Sequence, residues 1–200
     1  MKINLTLVRH GQSEGNVDES VYYTKPDHKI DLTPLGETQA TEIGQRLNKL
    51  YPLMVKNTLV YSPWTRAKRT ANLIAEEMFL LNFKEDPLIH EISIVNSFNC
   101  METKEDFESE EKSEFSQYWH KTGTSENYSD VYQRARIFYQ DIVMNKYKLN
   151  DGDNLIVVSH GVFLLMLRGV IHNISVEDIL EERWLKNCQT EHHLIDVLNF

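Results

Sequence analysis

The chain is poor in cysteine, with only Cys100 and Cys188 among its 200 residues. Two cysteines are too few for the disulfide framework of a secreted protein, so we expect a reducing compartment and place the protein in the cytoplasm. The longest apolar run covers residues 162–167, far short of the roughly 20 residues that span a membrane. The segment before Arg9 is too short and too alternating to be a signal peptide. We therefore expect no membrane partner.

The chain also lacks a basic stripe or block. It has 21 Lys and Arg against 30 Asp and Glu, which gives a formal net charge of −9. A nucleic-acid partner requires clustered positive charge, so none is expected. The same net charge repels a phosphorylated substrate at long range. Arginines that bind such a substrate must act locally, inside a concave site.

Segments with the apolar periodicity of strands alternate with segments that have the periodicity of helices. This alternation predicts an α/β fold, a three-layer sandwich whose central sheet is mostly parallel and has helices on both faces. The clearest predicted strands are residues 3–8, 58–61, 154–159 and 192–197. No repeat or linker divides residues 1–200, so a single domain is predicted. Residues 102–114 hold seven acids against two lysines, which indicates an acidic helical insertion at about 97–128.

Two Ser/Thr-Pro pairs predict helix starts. Thr33-Pro34 places a capping side chain before a proline, whose missing N–H costs nothing in the first turn. Ser62-Pro63 repeats this pattern. Between the first strand and the first of these helices, residues 11–31 are predicted to form a long loop, and loops of that length are usually functional. The buried stripe of the first helix is predicted to be Leu35, Ile43, Leu47 and Leu50.

The strongest functional signal is a histidine followed by glycine at the ends of two predicted strands. These motifs are Arg9-His10-Gly11 and Ser159-His160-Gly161. Ligands bind outside the carboxyl ends of strands in open α/β sheets, so we expect both imidazoles to meet in one crevice. Arg66 lies one turn into a helix that follows another strand, and helical side chains lean toward the N-terminus, where anions bind. This combination predicts phosphate chemistry.

These motifs resemble those of the histidine phosphatase superfamily, also called the phosphoglycerate mutase-like superfamily. The resemblance runs from Leu7 to Val197 and implies a phosphoglycerate mutase-like fold. Residues 13–19 and 26–33 are most similar to the plant and fungal phosphoglycerate mutase-like phosphatases. The wider resemblance is carried by Arg9-His10-Gly11 with Asn16, Leu32-Thr33 with Gly36, Ser62-Pro63 with Arg66 and Arg69-Thr70, and Ser159-His160-Gly161.

The resemblance implies a role for each polar residue of these motifs. His10 is the nucleophile, which attacks phosphorus and forms a phosphohistidine, and it must be neutral to do so. Arg9, Arg66 and His160 bind the equatorial phosphoryl oxygens, where charge accumulates in the transition state. Asn16 contacts the same phosphoryl group. Neither a metal nor another cofactor is implied, because the guanidinium groups and the second histidine take the place of a metal.

Glu91 is the residue that matches the proton donor of the superfamily. Its context departs from the family pattern, because His90 replaces the usual arginine and residues 92–96 replace a glycine-bearing stretch. An ordinary surface carboxylate is the alternative interpretation. Gly161 is expected to contact substrate. His28, in the long loop, either lines the mouth of the pocket or is simply solvated.

The leading function is that of a metal-independent phosphomonoesterase, a histidine acid-type phosphatase. Its substrate would be a phosphorylated small molecule or a phosphoprotein. One alternative is a phosphoglycerate mutase, although the Arg-His-Tyr-Gly run typical of the cofactor-dependent mutases does not follow Glu91. Another is a non-catalytic protein that binds a phosphorylated ligand, although such members generally lose the nucleophile. The oligomeric state is left open.

Cys188, His192 and His193 could be taken for a metal cluster, but adjacent strand residues face opposite ways, which favours a structural role.

Overall fold

The computed structural model describes residues 1–51, 54–81, 83–93 and 126–198. The predicted acidic insertion at about 97–128 lies almost entirely outside the described residues. Both that insertion and the single-domain organisation therefore stay predictions.

A five-stranded mixed sheet forms the centre of the described structure. Its strands are β1 (Lys2–Arg9), β2 (Asn57–Tyr61), β3 (Phe83–Glu85), β4 (Asn154–Ser159) and β5 (Thr190–Asp196). Their order is β3-β2-β4-β1-β5, with β5 antiparallel to β1 and all the other neighbours parallel. In the central pair, Arg9 lies opposite Ser159, so β1 and β4 end level with each other. The predicted α/β fold with a mostly parallel sheet is confirmed.

Helices cover both faces of this sheet. They are α1 (Glu14–Val17), α2 (Pro34–Leu50), α3 (Thr65–Glu77), α4 (Tyr128–Val143), α5 (Gly161–His172) and α6 (Val176–Ile179), with 3₁₀ turns at Glu19–Tyr23, Asp27–Lys29 and Pro87–Ile89. None of the described helices is long and apolar enough to cross a membrane.

Two apolar cores, one on each face, hold the layers together. Alternate residues of β1 serve opposite faces, as the period of a strand requires. Leu5 and Leu7 join the core beneath α4 and α5, whereas Val8 joins the core beneath α2 and α3. Phe138 of α4 and Phe163 of α5 are fully buried, with ring centroids 5.9 Å apart. These cores fix the helices against the sheet and so fix the residues at its carboxyl edge.

The predicted buried stripe of α2 is partly wrong. Ile43 and Leu47 are buried, but Leu35 and Leu50 are 52% and 56% exposed. The reason is that small residues of α2 face the structure. Gly36 packs so closely that a Cβ atom there would overlap the backbone of Gln12.

Two other local predictions need correction. Helix α3 begins at Thr65 with Trp64 at the N-cap position, so Ser62 is not its cap. The hydroxyl of Ser62 instead contacts His160. Residues 11–31 are not a plain loop, because they contain α1 and two 3₁₀ turns. The contact of Ser62 with His160 is tertiary, whereas the first 3₁₀ turn is capped locally by Asp18, which accepts from the N–H of Ser20.

The core beneath α4 and α5 provides a stability test. Truncation of the buried Phe138 in Phe138→Ala should lower the free energy of unfolding by about 3–5 kcal/mol, because the cavity cannot fully collapse. Ile137→Ala is the matched control, since Ile137 is adjacent and 49% exposed, and it should cost less than about 1 kcal/mol. Urea denaturation measures both values. Equal losses in the two variants would contradict this packing.

Candidate active site

The two histidines predicted to converge lie side by side at the carboxyl edge of the sheet. His10 follows β1, and His160 follows β4 as the N-cap residue of α5. Their ring centroids are 5.2 Å apart, and both residues are almost fully buried. The backbone N–H of His10 donates to the carbonyl of Ser159 at 2.9 Å, which ties the chain segments after the two strands together.

The hydrogen bonds of His10 define its protonation state. Its Nδ1 lies 2.7 Å from the carbonyl oxygen of Gly11, and its Nε2 lies 3.2 Å from Nε of Arg66. A carbonyl can only accept and a guanidinium can only donate, so Nδ1 carries the proton and Nε2 presents its lone pair. Burial and the charges of Arg66 and Arg9 hold the pKa of His10 well below its usual value. The imidazole is therefore neutral, as a nucleophile must be.

Arg66 is fixed from its other side by a carboxylate that the sequence analysis did not identify. Its Nη1 lies 2.8 Å from both the carbonyl oxygen and Oδ1 of Asp27, in the 3₁₀ turn Asp27–Lys29. Burial raises the pKa of Asp27, although the charge of Arg66 acts against this. Only the position of Asp27 in a segment similar to one phosphatase branch pointed to it. No periodic pattern tells which loop carboxylate meets an arginine.

His160 and Arg9 each combine a hydrogen-bonded nitrogen with a buried nitrogen that has no partner among the described residues. Nε2 of His160 lies 2.7 Å from Oγ of Ser62, and Nη1 of Arg9 donates to the carbonyl of Leu185 at 2.7 Å. In contrast, Nδ1 of His160 and Nε of Arg9 are buried without a hydrogen-bond partner among the described residues. Buried polar atoms without partners are costly, and native proteins keep them mainly where function requires them. Both atoms are suited to a phosphoryl oxygen.

Trp64 forms an aromatic wall beside these groups. Its ring lies edge-on to His160, with centroids 5.2 Å apart, and stacks on His90 at 5.8 Å. The guanidinium of Arg66 lies over the same ring, with Cζ 4.9 Å from the centroid. His90, which departs from the family pattern, thus packs against the ring of Trp64.

Glu91 is held at the N-terminus of α5. Its Oε1 accepts hydrogen bonds from the backbone N–H groups of Ile92, Val162 and Phe163 at 3.0, 3.1 and 3.2 Å. Its Oε2 shares only the N–H of Val162, at 3.2 Å. These bonds and the charge of Arg66 favour the ionised carboxylate, but burial outweighs them and raises the pKa of Glu91. Oε2 is the oxygen that can carry a proton.

The remaining predicted residues lie around these groups. Oδ1 of the exposed Asn16 accepts a hydrogen bond from Nδ2 of Asn187 at 3.0 Å, and the same Nδ2 lies 3.1 Å from the carbonyl of His10. Gly161 packs closely, since a Cβ atom there would lie 3.2 Å from Trp184. His28 is exposed, and its carbonyl accepts from Thr65. Its imidazole makes no hydrogen bond or ring contact with another described residue.

The family model of the histidine phosphatase superfamily, branch 1, matches residues 5–195. The chain belongs to this superfamily. One relative is the phosphoglycerate mutase-like protein AT74 of Arabidopsis thaliana, 33% identical over 79% of this chain. Another is a 2,3-bisphosphoglycerate-dependent phosphoglycerate mutase of Corynebacterium efficiens, 27% identical over 88% of this chain and 79% of the relative. The relatives of this superfamily member thus include a phosphoglycerate mutase as well as phosphoglycerate mutase-like proteins.

A solved structure supports the fold assignment. A mycobacterial glucosyl-3-phosphoglycerate phosphatase superposes on this chain with a TM-score of 0.75 at 23% identity, covering 94% of this chain and 90% of that one. At this identity the likeness shows a shared fold. The alignment with the Arabidopsis relative spans only 54% of that relative's length.

The contact between Asp27 and Arg66 yields a test of positioning. Asp27→Ala removes a side-chain acceptor of Arg66, and displacement of the guanidinium should lower kcat/KM for p-nitrophenyl phosphate about tenfold to a hundredfold. Asp27→Asn keeps an acceptor oxygen at the same place and should recover much of the loss. Wild-type kinetics in Asp27→Ala would show that the carboxylate does not position Arg66.

Proposed function

We propose that this protein is a metal-independent phosphomonoester phosphatase that works through a phosphohistidine on His10. The observation that carries the proposal is the arrangement of His10 itself. Its Nε2 lone pair lies against Arg66, while its Nδ1 proton is bound to the carbonyl of Gly11. A neutral imidazole whose lone pair adjoins a guanidinium is suited to attack a phosphoryl group that the same guanidinium binds.

The first half of the proposed reaction transfers the phosphoryl group to the enzyme. A bond forms between Nε2 of His10 and phosphorus as the ester P–O bond breaks. Arg9, Arg66 and His160 stabilise the charge on the equatorial oxygens. The protonated form of Glu91, which burial favours by raising its pKa, gives its proton to the leaving alkoxide.

The second half releases phosphate. A water attacks phosphorus, the N–P bond of the phosphohistidine breaks, and the electron pair returns to Nε2. Glu91, now a carboxylate, accepts the proton of that water. The enzyme is thereby restored to its starting protonation state. Because the reaction needs Glu91 protonated at the outset, it runs best at acidic pH, in keeping with the proposed histidine acid-type phosphatase.

The proposed substrate is a phosphorylated small molecule or a phosphoprotein, and the proposed compartment is the cytoplasm. Desolvated arginines support binding of a phosphate group despite the net charge of −9, because electrostatic attraction is strong at short range in a site of low dielectric. Neither nucleic acid nor a membrane is proposed as a partner.

A phosphoglycerate mutase is the second candidate, favoured by the similarity to the Corynebacterium mutase. A mutase keeps the phosphohistidine and returns the phosphoryl group to product, whereas a phosphatase loses it to water. Conversion of 3- to 2-phosphoglycerate in a coupled assay separates the two. Turnover faster than phosphate release would favour the mutase.

The phosphohistidine mechanism is tested by His10→Ala. We expect wild-type protein to hydrolyse p-nitrophenyl phosphate between pH 5 and 8 with chelator present, and the variant to lose this activity because it has no nucleophile. His172→Ala, which removes an exposed imidazole at the end of α5, is the matched control and should stay within about threefold of wild type. This window is set by the roughly 0.5 kcal/mol typical of surface substitutions. Chelator-sensitive activity that survives in His10→Ala would refute the proposal.

The role of Glu91 is tested with leaving groups of different basicity. Glu91→Gln should lower phosphoryl transfer from an alkyl phosphate by about 10²- to 10⁴-fold, because the alkoxide needs a proton. Transfer from p-nitrophenyl phosphate should fall far less, because p-nitrophenolate departs without one. Single-turnover measurements of leaving-group release give both rates.

The pH profile provides a further check on Glu91. In wild-type protein the alkyl phosphate rate should fall as pH rises through the raised pKa of Glu91, where its proton is lost. That alkaline limb should be missing in Glu91→Gln. An alkyl phosphate rate within about threefold of wild type, against the loss that an essential acid produces, would remove Glu91 from the mechanism.

A further inference from the structure

A cluster of side chains of the types that bind metals lies where the end of α5 meets the edge strand β5. It is separate from the phosphoryl site. His172 is the last residue of α5, and Glu191 and His193 lie two residues apart on β5. Residues at this spacing point to the same face of a strand. One ligand atom of each of the three side chains lies within 4.8 Å of those of the other two.

The imidazole of His193 is the least satisfied group of this cluster. Only 7% of its side chain is exposed, and its Nε2 is buried without a hydrogen-bond partner within the described parts of the chain. This atom lies 3.1 Å from Oε1 of Glu191 but lacks hydrogen-bond geometry. The ring of His172 is close, with a centroid separation of 5.2 Å. An imidazole nitrogen without a hydrogen-bond partner is a suitable ligand for a metal ion.

Arg168 orients the carboxylate of Glu191. The carboxylate accepts a hydrogen bond from Nε of Arg168 at 3.0 Å, and Arg168 is itself held by the carbonyl of Arg183 at 2.7 Å. Carboxylates that bind metals are commonly hydrogen-bonded in this way, which fixes their orientation. Nε of Arg168 lies 3.0 Å from both carboxylate oxygens, and its charge weakens cation binding. Each carboxylate oxygen has a further lone pair that can bind a metal ion.

We propose that His172, Glu191 and His193 form a binding site for a Zn²⁺-like divalent transition-metal ion. Two imidazoles and one carboxylate are a ligand set that zinc uses in proteins, and imidazole also suits copper and nickel. Calcium and magnesium prefer all-oxygen sites and do not fit two histidines. Solvent would complete the coordination. The ion would tie the end of α5 to β5 and take no part in phosphoryl transfer.

The register of β5 explains why this trio differs from the one that its sequence suggests. His192 faces the other side of the sheet, where its Nδ1 lies 3.0 Å from the hydroxyl of Thr6. Cys188 is buried in the core beneath α2 and α3. Neither residue belongs to the cluster of His172, Glu191 and His193 found among the described residues. His172, 21 positions away from His193 in the chain, takes their place.

The site is tested by titrating the whole protein with Co²⁺ alone, followed by visible absorption, and with Zn²⁺ alone, followed by calorimetry. We expect one ion per chain and a rise in Tm of roughly 5 °C at a Zn²⁺ concentration a hundredfold above the dissociation constant. His172→Asn removes an exposed ligand without disturbing the core and should weaken binding at least about tenfold. His192→Asn, the adjacent histidine on the opposite face, is the matched control and should bind like wild type.

Binding at the phosphoryl site is the competing outcome, and His10→Ala identifies it. If binding survives in His10→Ala and is lost in His172→Asn and Glu191→Gln, the ion lies in the proposed cluster. If His10→Ala abolishes binding while His172→Asn retains it, the ion lies between His10 and His160 and the proposal is overturned. Failure of wild-type protein to bind either metal at millimolar concentration overturns it as well.

Discussion

The site depends on keeping a buried imidazole uncharged beside two guanidinium groups. A proton on Nε2 of His10 would place a third positive charge next to Arg66 and Arg9 inside the protein, where water cannot screen it. The imidazole therefore stays neutral and keeps its lone pair toward Arg66, and the carbonyl of Gly11 holds the other ring proton. The surrounding structure supplies the contacts that maintain this arrangement.

The parallel pairing of β1 with β4 provides the first of these contacts. Because Arg9 lies opposite Ser159, the two following histidines leave the sheet at the same level and their rings meet. Close packing provides the second. A Cβ atom on Gly11 would overlap the carbonyl of Gly36. Because Gly11 has no Cβ atom, the first turn of α2 can lie directly against the segment after β1. The backbone around His10 is thereby fixed from both sides.

Two acidic residues lie beside the positively charged groups of the site. Asp27 pairs with Arg66, while Glu91 is bound by backbone N–H groups at the start of α5. Burial raises the pKa of both acids, and the charge of Arg66 acts against this rise. A phosphorylated ligand adds negative charge to this balance. Its dianion would favour the protonated form of Glu91, as transfer to a leaving group requires.

The sequence by itself determined the α/β fold, the positions of the main strands and the involvement of His10, His160, Arg9 and Arg66 at one sheet edge. These features follow from apolar periodicity and from the rule that parallel strands present their carboxyl ends together. Only the tertiary structure decided that Asp27 holds Arg66 and that Leu35 faces solvent, because both depend on how a loop and a helix pack. It also decided that His193 meets His172 rather than Cys188. A strand's period tells which residues share a face, but only the packed fold tells what lies opposite that face.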